Sequence, residues 1–274
     1  MITKKFLFLI LFIISILSNL HAESIKKVNY IESSSDDTLI IIKNEEWRNV
    51  DIGLNFKTIR LTRGKGKLNI VIKLLKIEPE LIGTRVIYNP EVPAINLKSI
   101  AEKNGAIAAI NGSFFDINGK PLGLLISDGQ TINGKMATHF LYSGIFYVKD
   151  NIPRIAYREN FSPIGIKHAV QVGPLLVMDG KGIEGIKDIH SINYRSGIAM
   201  DGFNKIIIYA TDTQYNGVSW HELMQLMRFP DINCLHVLNL DGGGSTQMFI
   251  STPLFSDYIE GKTGIPVAIG FYRR

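Results

Sequence analysis

Toward its end the chain carries Asp241, Gly242, Gly243, Gly244 and Ser245, directly after the apolar run 235–240. Glycine loses more freedom on folding than any other residue, so three in succession imply that something approaches the backbone closely. A bare turn would do, as would a cradle of exposed amides for an anion, or a reaction centre with Asp241 as its acid. A second segment has the same form: the apolar run 106–110 ends in Asn111, Gly112 and Ser113. Each run follows a helix-like stretch, 97–103 or 219–228. Ligands tend to bind at the carboxyl ends of strands, so this parallel predicts that the two corners face one pocket.

A hydrolase needs carboxylates, and most of the other acids have a plainer use. Asp128-Gly129, Asp179-Gly180 and Asp201-Gly202 sit between apolar runs and read as hairpin turns. Asp116 and Asp212 read either as turn residues or as pocket residues. Glu222 closes Ser219-Trp-His-Glu222, the spacing of a capping box in which serine and glutamate satisfy each other's orphan amides. Capping is the first reading for Glu222 and chemistry the second. Asp241 has only the turn alternative, and partial burial at a strand end would tune its pKa.

Several familiar chemistries are excluded. The triple glycine is not followed by Gly-Lys-Ser/Thr, so it is no nucleoside triphosphate loop. The pair His221-Glu222 lacks the second histidine of a metalloprotease helix, with Gln225 in its place. Segment 64–69 begins like a dinucleotide loop but has Asn69 where the third glycine belongs. The histidines at 139, 168, 190, 221 and 236 have no ligand spacing, so no metal or cofactor is expected. A hard cation on the oxygens of Asp116, Asp212 and Asp241 stays open. Cys234 has apolar neighbours and reads as a core thiol.

The elements that must position these residues come from a chain of 274 residues with a formal net charge of +5. This mild basicity gives no case for nucleic acid, whose binders carry dense basic stripes. Lys4 and Lys5, the apolar run 6–17 and the small residues up to Ala22 have the order of a secretory signal peptide. The expectation is a signal at 1–22, one domain at 23–274, and an exported protein, periplasmic or secreted, with no membrane span once the signal is removed. With one cysteine no internal disulfide can form. Short apolar runs at 38–42, 54–61, 68–77, 145–148, 175–178, 197–200, 205–211, 235–240 and 265–271 predict strands. Only 97–103, stopped by Gly105, and the segment from Ser219 predict helices. The expected fold class is α+β, a strand-rich single domain with a mixed β-sheet core and few helices.

Five stretches in order resemble one family: "AAINGSFFDINGKPLGLLISDGQ" (108–130), "QVGPLLVMDGK" (171–181), "RSGIAMD" (195–201), "YNGVSWHELMQLM" (215–227) and "LNLDGGGSTQM" (238–248). They are similar to the phosphodiester glycosidases related to the mannose-6-phosphate uncovering enzyme, in particular to bacterial exported members, with a motif core at about 106–250. The resemblance implies hydrolysis on the sugar side of a sugar-1-phosphodiester in a phosphorylated carbohydrate, releasing free sugar and a phosphomonoester. It carries Asn111, Gly112, Arg195, Glu222, Asp241, Gly242, Gly243, Gly244 and Ser245 over by motif. Asp241 or Glu222 would be nucleophile or general base in the two-carboxylate logic of glycosidases. Arg195 and the glycine amides would hold phosphate charge, while Asn111 and Ser245 would orient sugar or phosphate oxygens. Ser113 and Gly197 replace the family's more frequent glycine and alanine. A non-catalytic binder of phosphorylated envelope glycans would keep Arg195 and the glycines without depending on both acids.

Overall fold

The computed structural model describes residues 30–31, 39–64, 68–91 and 93–274. The expected signal peptide lies outside them, as does part of segment 64–69. Among the described residues strands dominate and form three sheets, one of ten strands and two of five. The middle of the large sheet runs Leu54–Arg63, Leu68–Ile77, Ile206–Thr211, Ser196–Asp201, Cys234–Asn239 and Leu175–Met178 in spatial order. One small sheet centres on Gly144–Lys149 and His168–Val172, the other on Ala108–Asn111 and Val267–Arg273.

The architecture corrects the expected fold class. It is mostly β, with two seven-residue α-helices among the described residues, Leu97–Lys103 and Trp220–Leu226. Each described strand pairing is antiparallel, so the sheets are not mixed. Ser196–Asp201 and Ile206–Thr211 are buried along their whole length, on both faces. Such strands read as continuous apolar runs, the pattern of parallel strands under helical layers. The two helices do precede strands, but neither makes a crossover between parallel neighbours. Ala108–Asn111 lies antiparallel to Met248–Ser251 and Val267–Arg273, and Cys234–Asn239 antiparallel to Ser196–Asp201 and Leu175–Met178.

One apolar core joins all three sheets, drawing Leu75, Ile198 and Leu238 from the large one, Phe146 and Val170 from one small sheet, and Ile110 and Ile269 from the other. The opposite face of the large sheet is covered by helix Trp220–Leu226, through Leu223, Leu226 and Met227. Helix Leu97–Lys103 packs Leu97 and Ile100 on the far side of the third sheet. Asn96 caps it through the Ser99 amide (2.9 Å), and Gly105 follows it at φ +68°, the left-handed geometry that ends helices.

The acids read as turns are turns. Asp128-Gly129 (φ 47° and 77°) and Asp179-Gly180 (φ 51° and 74°) have the two positive φ angles of tight hairpins. Asp201 takes the amides of Phe203 and Lys205 on Oδ1 (2.9 and 3.0 Å) and Lys76 on Oδ2 (3.3 Å). Asp116 closes its own turn by accepting from the amides of Asn118 and Lys120 (both 2.9 Å). Asp212 accepts from the Gln214 amide (3.1 Å) and pairs with Lys73 (3.3 Å). Cys234 is buried in the core, which pushes its thiol pKa up. Among the described residues no helix is long and apolar enough to cross a membrane.

Candidate active site

The two predicted strand-end corners meet. The fully buried Asn111 donates from Nδ2 to the Asp241 carbonyl (2.5 Å) and accepts the Gln247 amide on Oδ1 (3.1 Å). The Asp241 amide donates to the Gly112 carbonyl (3.1 Å), and Ser196 Oγ donates to the Asp241 carbonyl (2.8 Å). Two chain segments, 111–112 and Ser196, therefore clamp the Asp241 peptide with three hydrogen bonds, and its side chain starts from a fixed backbone. Asn111 acts on that backbone. Gly112 is a packing glycine, since a Cβ there would lie 2.6 Å from Val267 Cγ1.

The triple glycine answers to backbone on all three counts. A Cβ on Gly242 would stand 2.7 Å from the Tyr194 carbonyl oxygen, closer than carbon and oxygen tolerate. Gly243 sits at φ +58° and donates its amide to that same carbonyl (2.9 Å). Gly244 lies under Lys262 and Thr263, whose amides both donate to its carbonyl (2.7 and 3.1 Å). The loop is thus pressed between segments 193–195 and 262–263. The amide of Gly243 is engaged internally, which reduces the anion cradle that three glycines suggest.

Asp241 itself is only half-buried. Loss of water raises its carboxyl pKa to about 6, while hydrogen bonds from the Ser245 side chain and the Gly242 backbone pull the other way. Desolvation wins because two neutral donors do not replace full hydration of a carboxylate. Tyr142 stands close enough that burial, and next the Asp241 charge, push its phenol pKa up. Its ring meets Phe114 edge-on, with centroids 5.2 Å apart. Ser245 Oγ lies 3.4 Å from Thr263 Oγ1. The acid therefore has the Ser245 hydroxyl and the Tyr142 ring in its surroundings, groups suited to a polyhydroxylated ring.

Behind the loop stand two buried arginines in opposite situations. Arg63 donates from Nη2 to both oxygens of Glu222 (each 2.7 Å), and both side chains are nearly inaccessible, at 4% and 2%. Glu222 also completes the capping box: Oε2 accepts the Ser219 amide (2.7 Å), and Ser219 Oγ accepts the Glu222 amide (3.2 Å). Arg195 is 6% exposed, and among the described residues it makes no ion pair. It donates from Nε to the Val218 carbonyl (3.3 Å) and from Nη2 to the Ser191 carbonyl (2.6 Å), with its guanidinium 4.2 Å from the centre of the Trp220 ring. Burial lowers its pKa to about 10. A buried guanidinium with neutral partners has capacity left for an anion.

The arrangement is continuous. Glu222 fixes the helix start at Ser219; the adjacent Val218 pairs with Asn193 and supports Arg195; Tyr194 carries the glycine loop that bears Asp241. The sequence did not point to Arg63, Tyr142 or Ser196. Arg63 bonds a residue 159 positions away, and no local pattern announces such a partner. Tyr142 lies in a short 3-10 turn without periodicity. Among the described residues no group of three or more His, Cys, Asp or Glu side chains is placed to hold a metal ion.

The profile of the phosphodiester glycosidase family matches residues 104–272, a span that includes each candidate residue except Arg63. No curated protein matches the chain. The catalytic domain of zebrafish N-acetylglucosamine-1-phosphodiester alpha-N-acetylglucosaminidase has the same fold, with 15% identity over 88% of this chain and 89% of that one, at a TM-score of 0.64. A hypothetical protein from Synechocystis aligns with 18% identity over 85% of this chain and 64% of its own, at a TM-score of 0.57.

Proposed function

The chain belongs to the phosphodiester glycosidase family, and from that premise we propose that it hydrolyses a sugar-1-phosphodiester on the sugar side, releasing free sugar and a phosphomonoester. The observation that carries this reading is Asp241, a clamped, half-buried carboxyl with a pKa of about 6, with the Ser245 hydroxyl and the Tyr142 ring in its surroundings. In this reading its ionised form attacks the anomeric carbon or deprotonates the water that does. The leaving phosphate has a second pKa near 6, so it departs with little protonation and chiefly needs its charge held. Arg195, buried without a carboxylate, would hold it, and the Ser245 hydroxyl would orient the ring or phosphate oxygens.

Glu222 keeps its candidacy as the second carboxylate, but both of its oxygens are engaged by Arg63 and the Ser219 amide. We assign it to positioning: it holds the segment from which Arg195 is supported. The proposal extends to an exported enzyme, on the strength of the charged and apolar order of residues 4–22. Amino-terminal sequencing of the secreted protein would then begin at Glu23.

Product analysis decides the reaction. Incubation with a sugar-1-phosphodiester should yield free reducing sugar and a phosphomonoester. Sugar-1-phosphate without free sugar would place the cut on the phosphate side and overturn the mechanism. Binding without any turnover, by wild type and Asp241→Asn alike, would instead indicate a phosphoglycan-binding protein.

A further inference from the structure

Along the strand that passes the Asp241 corner lies a second group of polar residues, one of them a buried hydroxyl without a partner among the described residues. Strand Val267–Arg273 pairs with Asn111 through Ala268 near one end and with Ile82 through Arg273 at the other. At a rise of about 3.3 Å per residue, those two positions lie about 17 Å apart along the strand. Beside Arg273 lies a cavity of about 290 Å³ lined by Thr84, Arg85, Val148, Lys167, His168 and Tyr272, among others.

Two of its lining residues are buried and polar. Thr84 is 7% exposed, and its hydroxyl has no hydrogen-bond partner among the described residues. His168 is 1% exposed, and its Nδ1 accepts the Asp128 amide (3.2 Å). That bond leaves the proton of the neutral ring on Nε2, which lies 3.6 Å from Asp128 Oδ1. Burial lowers the His168 pKa; Asp128 opposes this, while Lys167 and Arg85 add to it. Arg85 and Lys167 line the same cavity as the imidazole. Arg85 has its guanidinium 4.8 Å from the centre of the Tyr272 ring, and neither it nor Lys167 makes an ion pair among the described residues. Arg273, by contrast, is engaged by Asp51, and Arg274 donates to the Asn151 carbonyl (2.8 Å).

We propose that this cavity is an oxyanion site for a phosphoryl group, separate from the Asp241 corner, with Arg85 and Lys167 supplying charge and Thr84 and His168 supplying neutral donors. Unpaired cations beside a buried hydroxyl that lacks a partner, and an imidazole N–H held only loosely by Asp128, favour a ligand with several anionic oxygens. The phosphoryl group could be free phosphate or part of a larger molecule.

The test is a titration of the isotopically labelled full chain with inorganic phosphate at constant ionic strength, followed by NMR at the His168 ring and the Thr84 amide. Saturable shifts at both are expected, weakened about tenfold in Arg85→Ala and in Lys167→Ala, as for loss of a charge-assisted hydrogen bond, and retained in Asp241→Asn. Both cations are exposed, so these variants should fold normally. Glycerol 3-phosphate serves as the second probe. Tighter binding of glycerol 3-phosphate identifies a phosphoryl group on a larger molecule, and tighter binding of inorganic phosphate identifies the free ion. The proposal fails if sodium chloride produces the same shifts, if the variants bind like wild type, or if phosphate perturbs only the Asp241 corner.

Discussion

The helix start at Glu222 and the glycine loop at Asp241 each place an acid in or beside the site, and the two acids meet different fates. Glu222 has its charge matched by Arg63 and its lone pairs filled by the Ser219 amide and the guanidinium. Asp241 has its backbone fixed by Asn111, Gly112 and Ser196, while its carboxyl is left with a pKa of about 6. The arginines mirror this contrast, Arg63 paired and Arg195 among neutral carbonyls and the Trp220 ring. A saturated pair contributes to the frame, whereas an unsaturated acid and an unsaturated cation are free to meet a substrate. Perturbed, incompletely partnered groups mark functional sites for this reason.

The largest effect should come from Asp241→Asn, with turnover of a sugar-1-phosphodiester falling by about 10²–10⁴-fold, the usual weight of a positioned acid or base. Its stability should move the other way. The folded-state pKa of about 6 exceeds the ordinary 3.8, so ionisation disfavours the fold. That cost is absent below the unfolded pKa and complete above the folded one, up to about 3 kcal/mol. The melting temperatures of wild type and Asp241→Asn should coincide near pH 3.5 and separate, with the variant higher, as pH rises through 6. A variant that loses both activity and stability would return Asp241 to the frame.

Glu222→Gln should behave in the opposite sense, leaving Arg63 buried without its counter-ion and costing about 3–5 kcal/mol of stability, measured by denaturant unfolding. A Glu222→Gln protein of wild-type stability and no turnover would move the chemistry to Glu222 and break the comparison. For Arg195→Lys the expected loss is smaller, about 10–100-fold in kcat/KM. It should appear chiefly as a raised KM, because an ammonium cannot reproduce the guanidinium's contact with the Trp220 ring or a forked grip on phosphate. The gentlest test needs no substitution. If the ionised Asp241 is the base or nucleophile, kcat/KM of the wild type falls as pH drops through about 6. A limb that rises in that direction would make Asp241 the acid.

Much of the fold was legible in residue patterns. The Asp-Gly hairpins, the capping box, Gly105 after its helix and the long apolar strands all follow local rules, and each is present. The antiparallel order of the sheets was not legible, because Ser196–Asp201 and Ile206–Thr211 are covered on both faces and so lack the alternation that marks antiparallel strands. Short strands such as Leu125–Ser127 and Gln130–Asn133 are too brief or too polar to show a period. For the site, the convergence of Asn111 and Asp241 could be read from two matching strand ends. Their bonding could not, since it crosses 130 residues.

By itself the sequence determined the residue types available for chemistry: an acid before three glycines, a capped helix start, and an arginine in a family motif. It also determined local turns and caps, because these depend on neighbours within a few residues. Only the tertiary structure decided which charges are matched. Arg63 reaches Glu222 across 159 positions, Arg195 is left among carbonyls, and Asp241 is half-buried. Burial and pairing are properties of what the rest of the chain places nearby, and in a fold built from antiparallel strands those neighbours are distant in sequence.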